Sequence, residues 1–342
     1  MSNPYTLVFG QPPLENIERS AQLERIVSEF TQERPSNYIN LVTGIRGSGK
    51  TVFITEIAEK LEKQKQWEII NLNPQRDLLV SLAAKLESNN ALRRIFRETE
   101  INLEAFGIGM GIKGVAPISD IEEALTRMFK EMKKRGKRVL ITIDEVSNTR
   151  EMRIFASAFQ IFLREKLPVF LLMTGLFKNV NRLKNAEGMT FLERAPRTVL
   201  SPLNYSAMTL KYKETLKTGD DKATRLARLT RGYPFAFQTI GYFNWEYPDN
   251  PDKAEAEAKN YLYEFAYRKI WSELSGKDRE TVKAISKVPS GEIFQIRKVL
   301  NYTSDQFNPY RDRLIKAGII TGEENGYVEF ALPWFDEFAL EN

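Results

Sequence analysis

A run of eight residues has the glycine spacing and the terminal lysine and hydroxyl of a phosphate-binding loop: Gly44, Ile45, Arg46, Gly47, Ser48, Gly49, Lys50 and Thr51. The three glycines allow the backbone to fold around phosphates with its N–H groups pointing inward, and the dipole of a following helix adds positive potential there. Lys50 supplies a mobile cation for the outer phosphates, and the Thr51 hydroxyl can coordinate the accompanying magnesium. The run therefore predicts a site for a nucleoside triphosphate.

A second pair of chemically active residues, Asp144 and Glu145, follows the apolar run 139–143. Open parallel sheets carry their chemistry at the carboxyl ends of strands, so we expect this pair to lie near the phosphate loop. Asp144 is predicted to belong to the magnesium shell, usually through water, and Glu145 to polarise the attacking water. The alternative is that the two residues only cap the next helix.

The chain contains no cysteine and no histidine, which removes several kinds of chemistry. Disulfides, zinc fingers, thiol nucleophiles, Ser-His-Asp hydrolases and imidazole bases are all excluded. Acid–base chemistry is left to Asp, Glu, Lys or Tyr. Hydrolysis of a phosphoanhydride needs only carboxylate, lysine, arginine and magnesium, so it remains possible without cysteine or histidine.

Composition is that of a globular protein, with 42% hydrophobic and 28% charged residues among 342. No run approaches the roughly 18 apolar residues that cross a bilayer, and residues 1–11 lack the pattern of a secretory signal, so we expect a cytoplasmic protein without membrane contact. A net charge of +5 permits nucleic-acid binding without requiring it. The densest basic cluster, residues 133–138, is interpreted as the solvated end of a helix.

The elements that must position these residues alternate between strand and helix over the first 203 residues. Five nearly continuous apolar runs are predicted to be strands buried on both faces, at 39–43, 67–72, 138–143, 168–174 and 197–200. A helix is predicted directly after the loop, at 51–62. The fold class is therefore α/β, with a five-stranded parallel sheet. The glycine-rich segment 106–115 is predicted to be either a β-hairpin or a loop that covers the site.

After residue 203 the pattern becomes helical, with predicted helices at 205–217, 221–230, 235–245 and 251–274 and a break at Gly232-Tyr233-Pro234. The last segment has three short helices, at 277–287, 292–301 and 304–317. Strands at 318–321 and 327–332 follow, joined by a turn at 323–326, which is the order of a winged helix. We therefore predict three domains: 1–203, 204–274 and 275–342.

The sequence resembles the AAA+ family of P-loop ATPases, and within it the origin-recognition and replication-initiator ATPases and the archaeal and bacterial ATPases of STAND-like type. The resemblance covers nearly the whole chain and is carried by segments 44–51, 139–146, 168–175, 191–195, 200–203 and 232–234. It implies ATP and Mg2+ as ligands, and a P-loop core followed by a helical lid and a winged helix.

The same resemblance implies roles for three further residues. Thr174, at the end of the fourth strand, matches a sensor that hydrogen-bonds the γ-phosphate or the attacking water, although a threonine there can simply cap a strand. Arg194 matches an arginine finger acting in cis or in trans, with Arg197 as its substitute and a surface ion pair as the alternative. The chain has Pro234 and Phe235 where initiator ATPases carry a second sensor arginine, so Pro234 is expected to pack near the nucleotide.

Two hypotheses for the use of ATP remain open. The first is an ATPase switch that signals through the lid and tail to a protein partner; the second is an ATP-dependent DNA-binding protein of initiator or mobile-element type, with duplex DNA as partner. The tail 275–342 holds nine Lys or Arg against eleven Asp or Glu, which disfavours strong phosphate binding. Asn308, Arg311, Arg313 and Lys316 are the candidates to face a groove, while Glu323 and Glu324 oppose it. A monomer and a nucleotide-dependent homo-oligomer are both compatible with the sequence.

Overall fold

The computed structural model describes residues 2–8, 13–109, 111–322 and 324–342. Its contacts divide the chain into two compact units. The first, here called the loop–lid unit, comprises Met1–Arg19, Gly44–Val52 and Leu200–Asn342; the second, the sheet unit, comprises Ser20–Thr43 and Phe53–Val199. The phosphate loop thus clusters with the predicted lid and tail. The predicted domain boundaries after residues 203 and 274 stay predictions.

The sheet unit is built on five parallel strands: β1 (Ile39–Thr43), β2 (Trp67–Leu72), β3 (Arg138–Ile143), β4 (Val169–Gly175) and β5 (Arg197–Val199). Their spatial order is β2-β3-β4-β1-β5. Every residue of β1 and β4 is buried, as expected for central strands covered by helices on both faces. The predicted α/β class and five-stranded parallel sheet are confirmed, with bounds that differ by one residue at most.

Eight helices are associated with this sheet in the described part of the chain: α1 (Ser20–Thr31), α2 (Lys50–Glu62), α3 (Leu78–Ser88), α4 (Asn90–Glu98), α5 (Ile121–Lys134), α6 (Arg150–Arg164), α7 (Phe177–Lys184) and α8 (Thr190–Glu193). Side-chain caps start several of them; Thr149, for example, accepts from the Met152 amide at the start of α6. Phe129 and Phe162 meet edge to face in the core of the unit, with ring centroids 5.2 Å apart.

The glycine-rich segment 106–115 does not form the hairpin that was one of its two predicted structures. Apart from a 3₁₀ turn at Glu104–Phe106, the described residues around it are irregular, and Met110 lies outside the described residues. Gly107 and Gly109 both have φ of 67°, in the left-handed region, which is incompatible with extended strands. The side chain of Asn102 closes the loop by donating to the Val115 carbonyl at 2.8 Å.

Three of the five cations in the basic cluster 133–138 pair with two neighbouring carboxylates. Lys134 and Arg135 both pair with Glu131, and Lys137 pairs with Glu68 at 2.9 Å. Hydrogen bonds from Lys134 and Arg135 lower the pKa of Glu131. Lys133, Lys134 and Arg135 are exposed at the C-terminal end of α5, which agrees with the interpretation as a solvated helix end.

From residue 200 onward, the loop–lid unit first contains the helices α9 (Tyr205–Leu216), α10 (Asp220–Leu229), α11 (Pro234–Glu246), α12 (Pro251–Leu262) and α13 (Arg268–Glu273). A π-helical turn, Tyr263–Tyr267, separates α12 from α13, so the single helix predicted at 251–274 is interrupted. Tyr212 is fully buried beneath these helices and donates its hydroxyl to the Phe237 carbonyl at 2.7 Å. Its ring lies 4.8 Å from that of Phe237.

The tail of this unit contains α14 (Gly276–Ser286), α15 (Ile293–Leu300), α16 (Ser304–Ala317), the antiparallel strands β6 (Ile320–Thr321) and β7 (Glu329–Phe330), and α17 (Phe335–Glu341). The two strands are shorter than predicted because Gly318, at φ 77°, still caps α16 and because Trp334, at φ 55°, precedes a helix that was not predicted. Glu323 of the predicted turn lies outside the described residues. Three helices followed by a hairpin agree with the predicted order, while the winged-helix assignment stays a prediction. None of the helices in the described ranges is both long and apolar enough to cross a membrane.

Candidate functional site

The phosphate loop connects β1, which ends at Thr43, to α2, which begins at Lys50. Gly47 and Gly49 have φ of 72° and 81°, and the Ser48 amide donates to the Ile45 carbonyl at 3.2 Å, closing a tight turn. L-residues with side chains rarely adopt these angles, so glycine is required at both positions. The local sequence therefore dictates the fold of the loop.

The carbonyl oxygens of the loop are held from outside. That of Arg46 accepts from Tyr233 Oη at 2.7 Å, that of Gly47 from the Phe235 amide at 3.2 Å, and that of Ser48 from Arg19 Nη2 at 3.0 Å. In a planar trans peptide the N–H of the next residue points away from the C=O. Each of these three carbonyls points toward its donor outside the loop, so the N–H of the same peptide points to the other side of the loop. The amides of Gly47 and Gly49 are thereby oriented as an anion-binding cradle requires.

Lys50 and Ser48 provide two side-chain groups suited to phosphate. The Lys50 ammonium donates to the carbonyls of Gly44 and Ile45 at 3.1 and 2.9 Å, so hydrogen bonds to the backbone hold it within the loop. Ser48 is only 6% exposed, and its Oγ is without a hydrogen-bond partner among the described residues. An unpaired buried hydroxyl is costly, and a phosphate oxygen would satisfy it. The loop residues therefore fit a nucleotide phosphate.

The segment 204–274, which is predicted to be a lid, is bonded to the loop by Tyr233 and Phe235 at the start of α11. Tyr233 and Phe235 make the hydrogen bonds described above, and the ring of Pro234 lies 3.9 Å from the position that a Cβ on Gly49 would take. The structure thus places Pro234 beside the loop, while its expected packing near the nucleotide stays a prediction. Pro at the first position of a helix is favourable because its missing N–H has no partner to lose there.

Sequence reasoning missed the residues that hold the loop. Arg19 also donates to the Ser201 carbonyl at 2.8 Å, and the Arg46 side chain pairs with Glu273 at 2.9 Å. Tyr233 and Phe235 stood inside a motif that the sequence singled out, but their partners in the loop were not predictable. For the Arg46–Glu273 pair, the sequence offered one signal: a basic residue inside the phosphate loop and an acidic residue at the end of the predicted lid.

In the sheet unit the predicted residues Asp144, Glu145 and Thr174 come together at the carboxyl edge. Thr174 is completely buried, and its hydroxyl donates to Asp144 Oδ1. The Glu145 amide donates to the same Asp144 oxygen at 2.9 Å and to Thr174 Oγ1 at 3.3 Å. Glu145 itself has φ of 55°, an uncommon angle for a residue with a side chain. Such outliers concentrate at functional sites.

The strand register explains why these three residues meet. Ile143 pairs with Met173, so the residues that follow on β3 and β4 lie side by side. On the other side of β4, Gly175 pairs with Thr43, the last residue of β1 before the loop. Thr174 is therefore an orienting partner of the Asp144 carboxylate, a role that neither the sensor nor the strand-cap expectation included.

Arg194 and Arg197 are both exposed. Arg194 ends α8, whereas Arg197 lies on β5 with its guanidinium carbon 4.7 Å from the ring centre of Phe177. The stacking restrains Arg197. The role of either arginine as a finger stays a prediction.

Comparison with known proteins agrees with this architecture. Residues 17–167 match a family described as an ATPase domain predominantly from Archaea, and residues 264–339 match a domain family of unknown function. A search of curated proteins gave no significant match.

Among solved structures, the Walker-type ATPase of Pyrococcus abyssi is similar, with a TM-score of 0.65, 14% identity and coverage of 95% of this chain and 96% of that one. The Aeropyrum pernix ORC2 protein in ADPNP–ADP complexes has a TM-score of 0.60 and 13% identity over 98% of this chain and 95% of its own. Identities this low establish the fold alone, which is that of a P-loop ATPase. The family match and the fold together support a nucleotide-dependent ATPase.

Proposed function

We propose that the protein is a magnesium-dependent ATPase that works as a molecular switch. The observation that carries this proposal is the phosphate loop, in which three carbonyls are anchored, Lys50 is stored and a buried Ser48 hydroxyl is unpaired. Such a loop binds phosphate through oriented amides and a mobile cation. The use of magnesium, the hydrolysis of ATP and the switch all go beyond the ATPase fold and belong to the proposal.

Each predicted residue has a defined task in this proposal. The amides of the loop and Lys50 bind the phosphates of ATP, and Thr51 and Asp144 hold magnesium, which would neutralise charge on the phosphate oxygens. Thr174 keeps the Asp144 carboxylate oriented through its hydrogen bond. Glu145 polarises the attacking water and receives its proton. Arg194 stabilises the charge that develops on the γ-phosphate, in cis or from a second copy of the chain.

The switch uses the lid and tail as its output. Because Tyr233, Pro234 and Phe235 contact the loop directly, a nucleotide that reshapes the loop acts on the lid. We infer a cytoplasmic protein that passes this change to a protein partner through a winged-helix tail, as a monomer or a nucleotide-dependent homo-oligomer.

An ATP-dependent DNA-binding protein is the second candidate, favoured by the three helices and hairpin of the tail and by Asn308 and Lys316, which are exposed on α16. Arg313 argues against it, because its Nε is engaged by Asp278 at 2.7 Å inside the tail. Together with the excess of acidic residues in the tail, this favours a protein partner over duplex DNA.

The test is ATP turnover by the purified chain with magnesium, alone and with duplex DNA, beside Glu145→Gln and Lys50→Ala. Glu145→Gln is expected to bind ATP while losing turnover by about 10²-fold or more, since a general base contributes that much. Lys50→Ala is expected to lose binding. Glu151→Gln, which changes an exposed carboxylate on α6, is the matched control.

Wild-type turnover no faster than that of Glu145→Gln would refute the assignment of Glu145. Stimulation by duplex DNA, with a strong dependence on salt, would favour the DNA-binding candidate over the protein partner.

A further inference from the structure

Five consecutive residues, Arg231–Phe235, run from the tail hairpin to the phosphate loop. We propose that this segment, called here the relay segment, couples the nucleotide state of the loop to the β6–β7 hairpin, with Tyr233 and Arg231 as its positioning residues at the two ends. The inference rests on the proposed function, because it names how the nucleotide site is linked to its output.

At the loop end, the relay segment holds two adjacent peptides. Tyr233 Oη donates to the Arg46 carbonyl at 2.7 Å and the Phe235 amide to the Gly47 carbonyl at 3.2 Å. Tyr233 is 4% exposed, and burial raises its pKa, so the hydroxyl remains a donor throughout the physiological range. Any rotation of these loop peptides on phosphate binding must therefore move or break a contact with the relay segment.

At the tail end, Arg231 donates Nη1 to the carbonyl of Phe330 at 2.7 Å. Phe330 belongs to β7 and pairs with Ile320 of β6, and the next amide, that of Ala331, donates to the Ile319 carbonyl at 2.9 Å. One side chain of the lid is thus attached to the backbone of the hairpin at its paired position.

The hairpin and this part of the lid are separated on one side by an open cavity. Its volume is about 570 Å³, and it is lined from the lid side by Arg228 and Arg231 and from the tail side by Glu329 and Phe330, among others. The Arg231–Phe330 hydrogen bond joins two residues that line this cavity, so it is a direct link from the lid to the backbone of the hairpin. The lid and tail also pack together elsewhere, as where Tyr267 donates to the Pro333 carbonyl, and the variants below separate the Arg231 link from that packing.

The middle of the segment has little freedom to absorb displacement. Arg231 and Gly232 both have positive φ, 51° and 72°, a region in which an arginine is strained. The Gly232 carbonyl accepts from the Leu203 amide at 2.8 Å, and a Cβ on Gly232 would lie 2.6 Å from Cβ of Pro202. A strained, closely packed turn that persists indicates surrounding contacts that hold it, and bonds at both ends make it a stiff connection.

The experiment is hydrogen–deuterium exchange on the full chain, without nucleotide, with Mg-ADP and with the non-hydrolysable Mg-ADPNP at saturating concentration. The reporters are the hairpin amides of Val328 and Ala331, which donate to the carbonyls of Gly291 and Ile319. Arg231→Gly removes the guanidinium and tolerates the positive φ, so it is expected to fold. Arg228→Ala, at the same cavity, is the matched control.

In the wild type and in Arg228→Ala, nucleotide is expected to change the hairpin exchange rates by about threefold or more. Arg231→Gly is expected to bind nucleotide within about threefold of the wild-type affinity and to lose that change. Tyr233→Phe removes the hydrogen bond to the Arg46 carbonyl at the loop end and is expected to lose the nucleotide-dependent change in exchange as well. The double variant is expected to show no further loss, since both substitutions act on one connection.

A hairpin that still responds in Arg231→Gly, or losses from the two single variants that add, would overturn the relay. So would a wild type that binds nucleotide without any change at the hairpin. Failure of the wild type to bind nucleotide would instead refute the proposed function, and the relay with it; the separately measured affinity distinguishes these outcomes.

Discussion

Replacing Gly47 with alanine tests whether Tyr233 and Phe235 pack against the phosphate loop as the structure shows. A Cβ built on Gly47 would lie 2.3 Å from Tyr233 Oη and 2.8 Å from Cβ of Phe235, in a backbone with φ of 72°. Gly49 provides the matched comparison. Its φ is 81°, but the nearest atom to its Cβ is the flexible end of Arg19 at 3.4 Å.

The expected magnitudes differ because only one of the two sites is crowded. Alanine in the left-handed region costs about 1–2 kcal/mol at either position. At Gly47 the Cβ of Phe235 is fixed to the first turn of α11 and cannot give way easily, so overpacking adds about 1–3 kcal/mol. Displacing Tyr233 Oη from the Arg46 carbonyl adds roughly 1 kcal/mol. Gly47→Ala is therefore expected to destabilise the loop–lid unit by about 2–4 kcal/mol more than Gly49→Ala.

Urea unfolding without nucleotide measures this difference, so that changes in phosphate binding do not contribute. Three of the four tryptophans, Trp245, Trp271 and Trp334, lie in the loop–lid unit, and their fluorescence reports on it. Equal losses of stability in Gly47→Ala and Gly49→Ala would refute the packing of Tyr233 and Phe235 on the loop.

Two further predictions concern stability. Burial raises the pKa of Tyr212, Tyr233 and Tyr267, while unfolded tyrosines ionise near pH 10. The stability of the loop–lid unit is thus complete below about pH 10 and falls above it, by about 4 kcal/mol at pH 11 for three such groups; equal urea midpoints at pH 9 and pH 11 would contradict this. Asp278 is 5% exposed, caps α14 and pairs with Arg313, whose side chain is half exposed. Asp278→Ala is expected to lower the free energy of unfolding by about 2–3 kcal/mol and Arg313→Ala by less, which thermal unfolding of both variants would check.

The features that were predictable from the sequence are those encoded locally. Each strand of the sheet is a short apolar run, and the loop is defined by the spacing of its glycines, so both were assigned within a residue. The order β2-β3-β4-β1-β5 was not predicted, because pairing between distant strands leaves no local pattern. That order is what joins Thr174 to Asp144 on neighbouring strands.

Two differences between expectation and structure have local physical causes. Positive φ values at Gly107 and Gly109 prevent the hairpin, which was one of the two structures predicted for the glycine-rich segment. The π-helical turn Tyr263–Tyr267 interrupts a sequence whose helical propensity is continuous. Its buried Tyr267 donates to the Pro333 carbonyl at 2.6 Å, a tertiary contact that favours the altered winding over a regular helix.

The anchored carbonyls change which residues belong to the phosphate site. Ordering one backbone residue costs about 1–2 kcal/mol, so a loose loop of four residues would lose several kcal/mol of affinity when it closes on phosphate. Here Arg19, Tyr233 and Phe235 order residues 46–49 during folding, before any ligand binds. The binding energy of the phosphates then appears as affinity instead of being spent on ordering the loop. Tyr233 and Phe235 therefore act on phosphate binding through the backbone of the loop, and a partner that moves them would change the strength of that binding.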